Sequence, residues 1–216
     1  MEIKQGANIV QARISRDSSR LLVVRKLKEK LWKITQYCLQ TANETFDEEF
    51  AGSYIKIDNI VQNMTGTKYG VICFDDGVWR IRTFGKEERT EAEIKASEIN
   101  VNDLLGLDNW TMVDPATNYT FGSCCFVDDN TLFVGVYHSH SMTHHHCMID
   151  LKTKALIGKK QSHFIEDSSA RNFLVNCYYN VEKDECYSFY RGGQAFTMPR
   201  TDISKFRFEQ ISNVLG

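Results

Sequence analysis

Asp75-Asp76-Gly77-Val78-Trp79-Arg80-Ile81 joins a turn directly to a strand-like run. Asp-Gly between apolar segments signals a two-residue hairpin, because glycine accepts the positive φ that such turns require. Tyr69-Gly70-Val71-Ile72-Cys73-Phe74 lies just upstream, so the region reads as strand, turn, strand. A second stretch, Leu31-Trp32-Lys33-Ile34, matches Val78 to Ile81 type for type with its tryptophan 47 residues earlier. A repeat of that period points to stacked supersecondary units.

Working outward, strand, polar turn, strand, turn and strand recur four times. The first unit is Ile9 to Ile14, then Ser15 to Ser19, then Leu21 to Val24 and Leu31 to Ile34. The second is Ile60-Val61, a turn near Gly66, Tyr69 to Phe74 and Val78 to Ile81. The third is Phe121 to Val127, Asp128-Asp129-Asn130, Thr131 to Tyr137, a His-rich connection and Cys147 to Leu151, with Ala155 to Gly158 following. The fourth is Phe173 to Tyr179, Cys186 to Tyr190, Arg191-Gly192-Gly193 and Gln194 to Met198. The expectation is a mainly all-β chain of repeated antiparallel hairpin units, propeller-like, with about four blades. One domain is expected over 1–216, with an inserted connection over about 86–118. Trp32, Phe74, Trp79, Phe126, Phe133, Phe189 and Phe196 fall on the inferred strands and read as core.

The runs Ile14 to Val24 and Met148 to Leu156 resemble degenerate blades of the WD40 and related propeller families, without their Gly-His and Trp-Asp dipeptides. The resemblance implies a platform for protein–protein contact, since propellers bind at their loops and channel mouth. An alternative is open. Val24, Leu27, Leu31, Ile34 and Cys38 also fall at helical spacing, so 19–43 could be one amphipathic helix in an α+β domain. Strands closing around an apolar cavity would then make a lipocalin-like ligand carrier.

Apolar residues are 42% of the chain and the formal charge is −2 with no basic run, so neither nucleic acid nor an anionic membrane is an expected partner. No stretch reaches the length of a membrane span, and Met1 to Gln5 lacks the apolar core of a signal peptide. Seven cysteines, an odd number set mostly among apolar residues, read as thiols rather than a disulfide framework. A cytoplasmic or nuclear, not secreted, protein is expected. The Asn-x-Thr sequons at Asn43, Asn63, Asn109 and Asn118 then carry no glycan.

Five of six histidines lie between His138 and His146 (His138, His140, His144, His145 and His146), followed by Cys147 and Asp150. Imidazole and carboxylate suit zinc, and two histidines spaced by two share one strand face. His138, His140 and Asp150 are therefore candidate metal ligands. The plainer expectation is an exposed loop over Ser139 to Thr143 with solvated histidines, and a third is a proton-responsive contact. The segment Val134 to Asp150 also resembles the motif of JAMM-type zinc isopeptidases, which implies a zinc-dependent hydrolase. Here Asp150 falls ten residues after His140 rather than eleven, and Cys147 takes a serine's place. Zinc is thus a possible cofactor and none is otherwise expected. Arg191-Gly192-Gly193, Asp75-Asp76 and Asp128-Asp129 read as hairpin turns rather than phosphate or calcium sites, and no catalytic residue is nominated.

Overall fold

A computed structural model describes residues 8–15, 17–29, 31–51, 60–75, 78–85, 90, 92–93, 97–107, 122–138, 143–163, 174–190 and 193–210. Sixteen described strands form four four-stranded antiparallel meanders, each in chain order. Sheet 1 contains β1 (Asn8–Ile14), β2 (Arg20–Lys28), β3 (Leu31–Cys38) and β4 (Glu44–Ala51). Sheet 2 contains β5 (Ile60–Gln62), β6 (Lys68–Asp75), β7 (Val78–Gly85) and β8 (Ile99–Asn100), followed by the short helix α1 (Val101–Leu105). Sheet 3 contains β9 (Gly122–Asp128), β10 (Thr131–His138), β11 (Thr143–Asp150) and β12 (Ala155–His163). Sheet 4 contains β13 (Leu174–Asn180), β14 (Glu185–Tyr190), β15 (Gln194–Pro199) and β16 (Arg207–Gln210).

β6 and β7 pair antiparallel with Asp75 opposite Val78, as a hairpin requires; Asp76 and Gly77 lie outside the described residues. The helical alternative over 19–43 is overturned, because this stretch holds β2 and β3, with Val24 opposite Ile34. Its apparent three-and-four spacing arises from two alternating strands. Leu22, Val24, Trp32 and Ile34 share one face and bury it against Ile60, Tyr69 and Val71 of sheet 2. The lipocalin-like alternative is also corrected, since the described strands form four separate sheets rather than one barrel.

Period-two alternation sends successive residues of the middle sheets to opposite neighbours. Leu132, Val134 and Val136 of β10, with Cys147 and Ile149 of β11, meet Ile72, Trp79 and Ile81 of sheet 2. Phe133 and Met148, one residue out of phase, meet Cys177, Tyr190, Phe196 and Met198 of sheet 4. A sheet covered on both faces needs near-continuous apolar strands, which accounts for runs such as Leu132-Phe133-Val134. Each of these larger side chains contributes roughly 1.5–3 kcal/mol when fully buried.

Within the expected insertion, Ile99 and Asn100 form a strand of sheet 2. β8 pairs with β7, and Ile99, Val101 and Leu105 join the core between sheets 2 and 3. Asn100 caps α1 by accepting from the Asp103 N–H, and Gly106 ends it at a left-handed φ of 68°. The buried Asn102 side chain accepts the Trp79 N–H at 2.9 Å, fixing the helix to the start of β7.

Candidate functional site

The register places two of the three candidate ligands apart. His138 stands opposite Thr143 at one end of the β10–β11 hairpin and Asp150 opposite Thr131 at the other. Seven residues of strand separate the two ends, about 24 Å at ~3.4 Å per residue. His140 lies outside the described residues. The Asp150 carboxylate instead accepts the Lys152 and Thr153 backbone N–H groups at 2.8 and 2.9 Å, and these bonds hold it below the usual carboxylate range. Among the described residues no group of three His, Cys, Asp or Glu side chains is placed to hold a metal. His138 and Asp150 thus stand at opposite ends of this hairpin.

The solvated-loop expectation is corrected for the remaining histidines. β11 begins at Thr143, and His144 and His146 are each 2% exposed. Their even positions direct them toward sheet 4. His146 Nε2 lies 3.1 Å from the Tyr190 hydroxyl, and its ring stacks on Phe133 and meets Phe196 edge-on. His144 meets the Tyr190 ring edge-on at 4.9 Å. Burial, reinforced by the neighbouring imidazoles, lowers both pKa values to about 3. His145, out of phase, pairs with the Thr143 hydroxyl at 3.0 Å. Neutral buried imidazoles suit packing and hydrogen bonding rather than proton exchange with a bound substrate.

Cys38, Cys124, Cys125, Cys147, Cys177 and Cys186 form no disulfide. Burial pushes Cys147 up to about 12 and Cys177 up to about 11, and raises Cys125 and Cys186 as well. Cys38 differs: the Thr41 side chain, with the backbone N–H groups of Thr41 and Gln40, holds its thiol below the usual value. Its partners are a hydroxyl and amides rather than an imidazole base.

The first-to-second and third-to-fourth strand turns gather at one end of the sheets, where polar contacts join each sheet to the next. Gln36 Nε2 donates to the Gly66 carbonyl at 2.7 Å, linking sheets 1 and 2. Asn63 Nδ2 donates to Asp129 at 2.8 Å and Lys68 Nζ to the Asp129 carbonyl at 2.9 Å, linking sheets 2 and 3. Arg200 donates to Asp128 at 3.1 Å, linking sheets 3 and 4. Asp128 and Asp129 thus work as turn and junction residues, and Asn130 N–H donates to Asp128 as the turn reading requires. Asn63 also accepts the Thr67 and Lys68 N–H groups, so the amide of this sequon is buried and engaged.

At the same end three turn tips expose apolar side chains: Leu39 at 40%, Met64 at 45% and Val181 at 41%. Ile14, at the turn end of β1, is also exposed. Turn tips ordinarily carry Gly, Asn, Asp, Ser or Pro. Sequence reading missed these residues because each is isolated in the chain; they come to the same end only once the meanders set the turns there.

No family model matches the sequence, and no curated protein matches it significantly. Solved structures do. TolB from Acinetobacter baumannii aligns over 94% of this chain with a TM-score of 0.56 and 11% identity. A prolyl endopeptidase aligns over 95% with a TM-score of 0.53 and 9% identity. Both are β-propeller proteins, and the four face-packed meanders define this chain as propeller-like. The chain spans 43% and 28% of those two chains, less than half of either.

Proposed function

We propose that this chain is a non-catalytic platform that binds a protein partner through its turn end. The observation that supports this reading is the exposure of Leu39, Met64 and Val181 on turns of three different sheets. Apolar side chains at tips that water would otherwise surround gain by being covered. The junction contacts of Gln36, Asn63, Lys68 and Arg200 would hold these tips in fixed relation, limiting the ordering cost of association. Cysteines that form no disulfide are compatible with a reducing compartment, and the proposal includes a cytoplasmic or nuclear location. A WD40-like character of the blades and a single domain over 1–216 belong to it too.

The test is quantitative affinity capture with wild type and Leu39→Ser/Met64→Ser/Val181→Ser, both confirmed folded by circular dichroism and melting. A defined set of proteins enriched by wild type and at least tenfold depleted with the variant is expected. Equal enrichment by the two would contradict the turn-end reading.

A further inference from the structure

β1 differs from the first strands of the two sheets that follow it. β5 and β9 bury most of their residues, whereas no residue of β1 is buried and Ile9, Val10 and Ile14 are 46%, 44% and 61% exposed. Among the described strands β1 pairs with β2 alone, so its other edge presents backbone N–H and C=O groups along a largely apolar strand. Edge strands are ordinarily guarded by shortness, charge or a bulge. β1 has seven residues with Arg13 as its one charge, and the bulge at Val10 leaves Gln11 to Ile14 in unbroken register.

Charge is segregated across sheet 1. β1 and β2 carry Arg13, Arg20, Arg25, Lys26 and Lys28 with no carboxylate, whereas β4, the opposite edge, carries Glu44, Asp47, Glu48 and Glu49 with no cation. Arg20 donates to the Gln36 amide, Arg25 to the Thr35 and Tyr37 hydroxyls, and Lys26 lies over the Trp32 ring, so these contacts are to neutral groups.

Pairing with β2 assigns the two faces of β1. Gln11 and Arg13 stand opposite Val24 and Leu22, on the side that packs toward sheet 2. Ile9, Ala12 and Ile14 stand opposite Arg25, Val23 and Leu21, on the other side. One face of the edge is thus apolar and the other polar and basic, with Arg20 and Lys26 of β2 on the basic side.

We propose that β1 is a docking edge for an extended acidic segment of a partner protein, which adds to sheet 1 as a fifth strand. The segment's backbone pairs with the free edge of β1, and its side chains alternate. Apolar residues lie beside Ile9, Ala12 and Ile14, and carboxylates lie beside Gln11 and Arg13, where opposite charges on neighbouring strands attract. A basic segment meets repulsion at the same edge. This surface is the strand β1 rather than the turn tips of Leu39, Met64 and Val181, and it stands whether or not those tips bind a partner.

Fluorescence anisotropy tests this with the whole chain and a labelled peptide of alternating valine and glutamate, seven residues long like β1. Saturable binding that weakens with added salt is expected, with the valine–lysine counterpart bound at least about tenfold more weakly. Methylating the peptide's backbone nitrogens along one edge should weaken binding by about tenfold or more, and along the other edge should leave it unchanged, because an added strand pairs through one edge only. Ile9→Glu/Ile14→Glu alters two exposed side chains, so it should keep the wild-type circular dichroism and bind the peptide about tenfold or more weakly. Leu39→Ser/Met64→Ser/Val181→Ser should bind it as wild type does. No saturable binding by wild type, equal affinity for the two peptides, or an equal effect of methylation on either edge would overturn the proposal. So would sedimentation showing a wild-type dimer that Ile9→Glu/Ile14→Glu dissolves and that takes up no peptide, which would assign the edge to a second copy of the chain.

Discussion

Gly122→Ala tests how closely sheets 2 and 3 approach. Trp79 is 2% exposed, and a Cβ built at Gly122 would lie 2.4 Å from its Cζ3, 2.6 Å from Cη2 and 2.9 Å from Cε3. All three distances are below contact, and the indole is buried in the core between sheets 2 and 3, so a turn aside would displace its packed neighbours. The φ of Gly122 is outside the left-handed region, so alanine meets a steric penalty rather than a conformational one. Overpacking of this kind costs about 1–3 kcal/mol. In a chain of this size the melting temperature should fall by roughly 2–4 °C per kcal/mol. Urea unfolding of wild type, Gly122→Ala, Trp79→Phe and the double variant provides the assay. The smaller Phe ring should relieve the clash, so alanine should cost at least about 1 kcal/mol less in the Trp79→Phe background. An equal cost in both backgrounds would refute the close approach as the cause.

Asn63→Ala should lower stability by about 2–4 kcal/mol in urea unfolding, because it leaves the Thr67 and Lys68 N–H groups without their acceptor and breaks the bond to Asp129. Glu98 bridges Arg80 at 2.6 Å and Arg82 at 2.7 Å. Burial raises its pKa, but the hydrogen bonds and charges of the two arginines outweigh this and lower it overall. Its contribution is therefore present above the unfolded pKa near 4.3 and is lost as pH falls through the lower folded value. Glu98→Gln should cost about 1–2 kcal/mol at pH 7 and progressively less below pH 4, as read by melting across that range. Arg200→Ala removes an exposed contact to Asp128, so its cost should stay below about 1 kcal/mol.

The units with a strong local signal were readable before the structure. Asp76-Gly77 dictates a tight hairpin, and Trp32 and Trp79 mark equivalent places in β3 and β7. The strands β4, β8 and β16 were not read. β4 carries Glu44, Asp47, Glu48 and Glu49, and β8 has only two residues. Edge strands favour charge and shortness because these discourage pairing with other chains, and the same traits hide them from a hydrophobic pattern. The histidine run was misread for a related reason. Three identical residues show no alternation, so nothing local reveals that His144 and His146 face one sheet and His145 the other. Which of them face sheet 4 depends on where β11 begins, which only the ladder with β10 fixes.

Cross-linking mass spectrometry of the chain bound to its captured partner tests the platform reading most directly. Lys152, Lys183 and Lys205 are exposed on turns at the proposed binding end, whereas Lys28 is at the opposite end of sheet 1 and Lys159 is on β12. Partner cross-links concentrated at Lys152, Lys183 and Lys205, and lost with the Leu39→Ser/Met64→Ser/Val181→Ser chain, are the predicted result. Cross-links confined to Lys28 and Lys159 would contradict it.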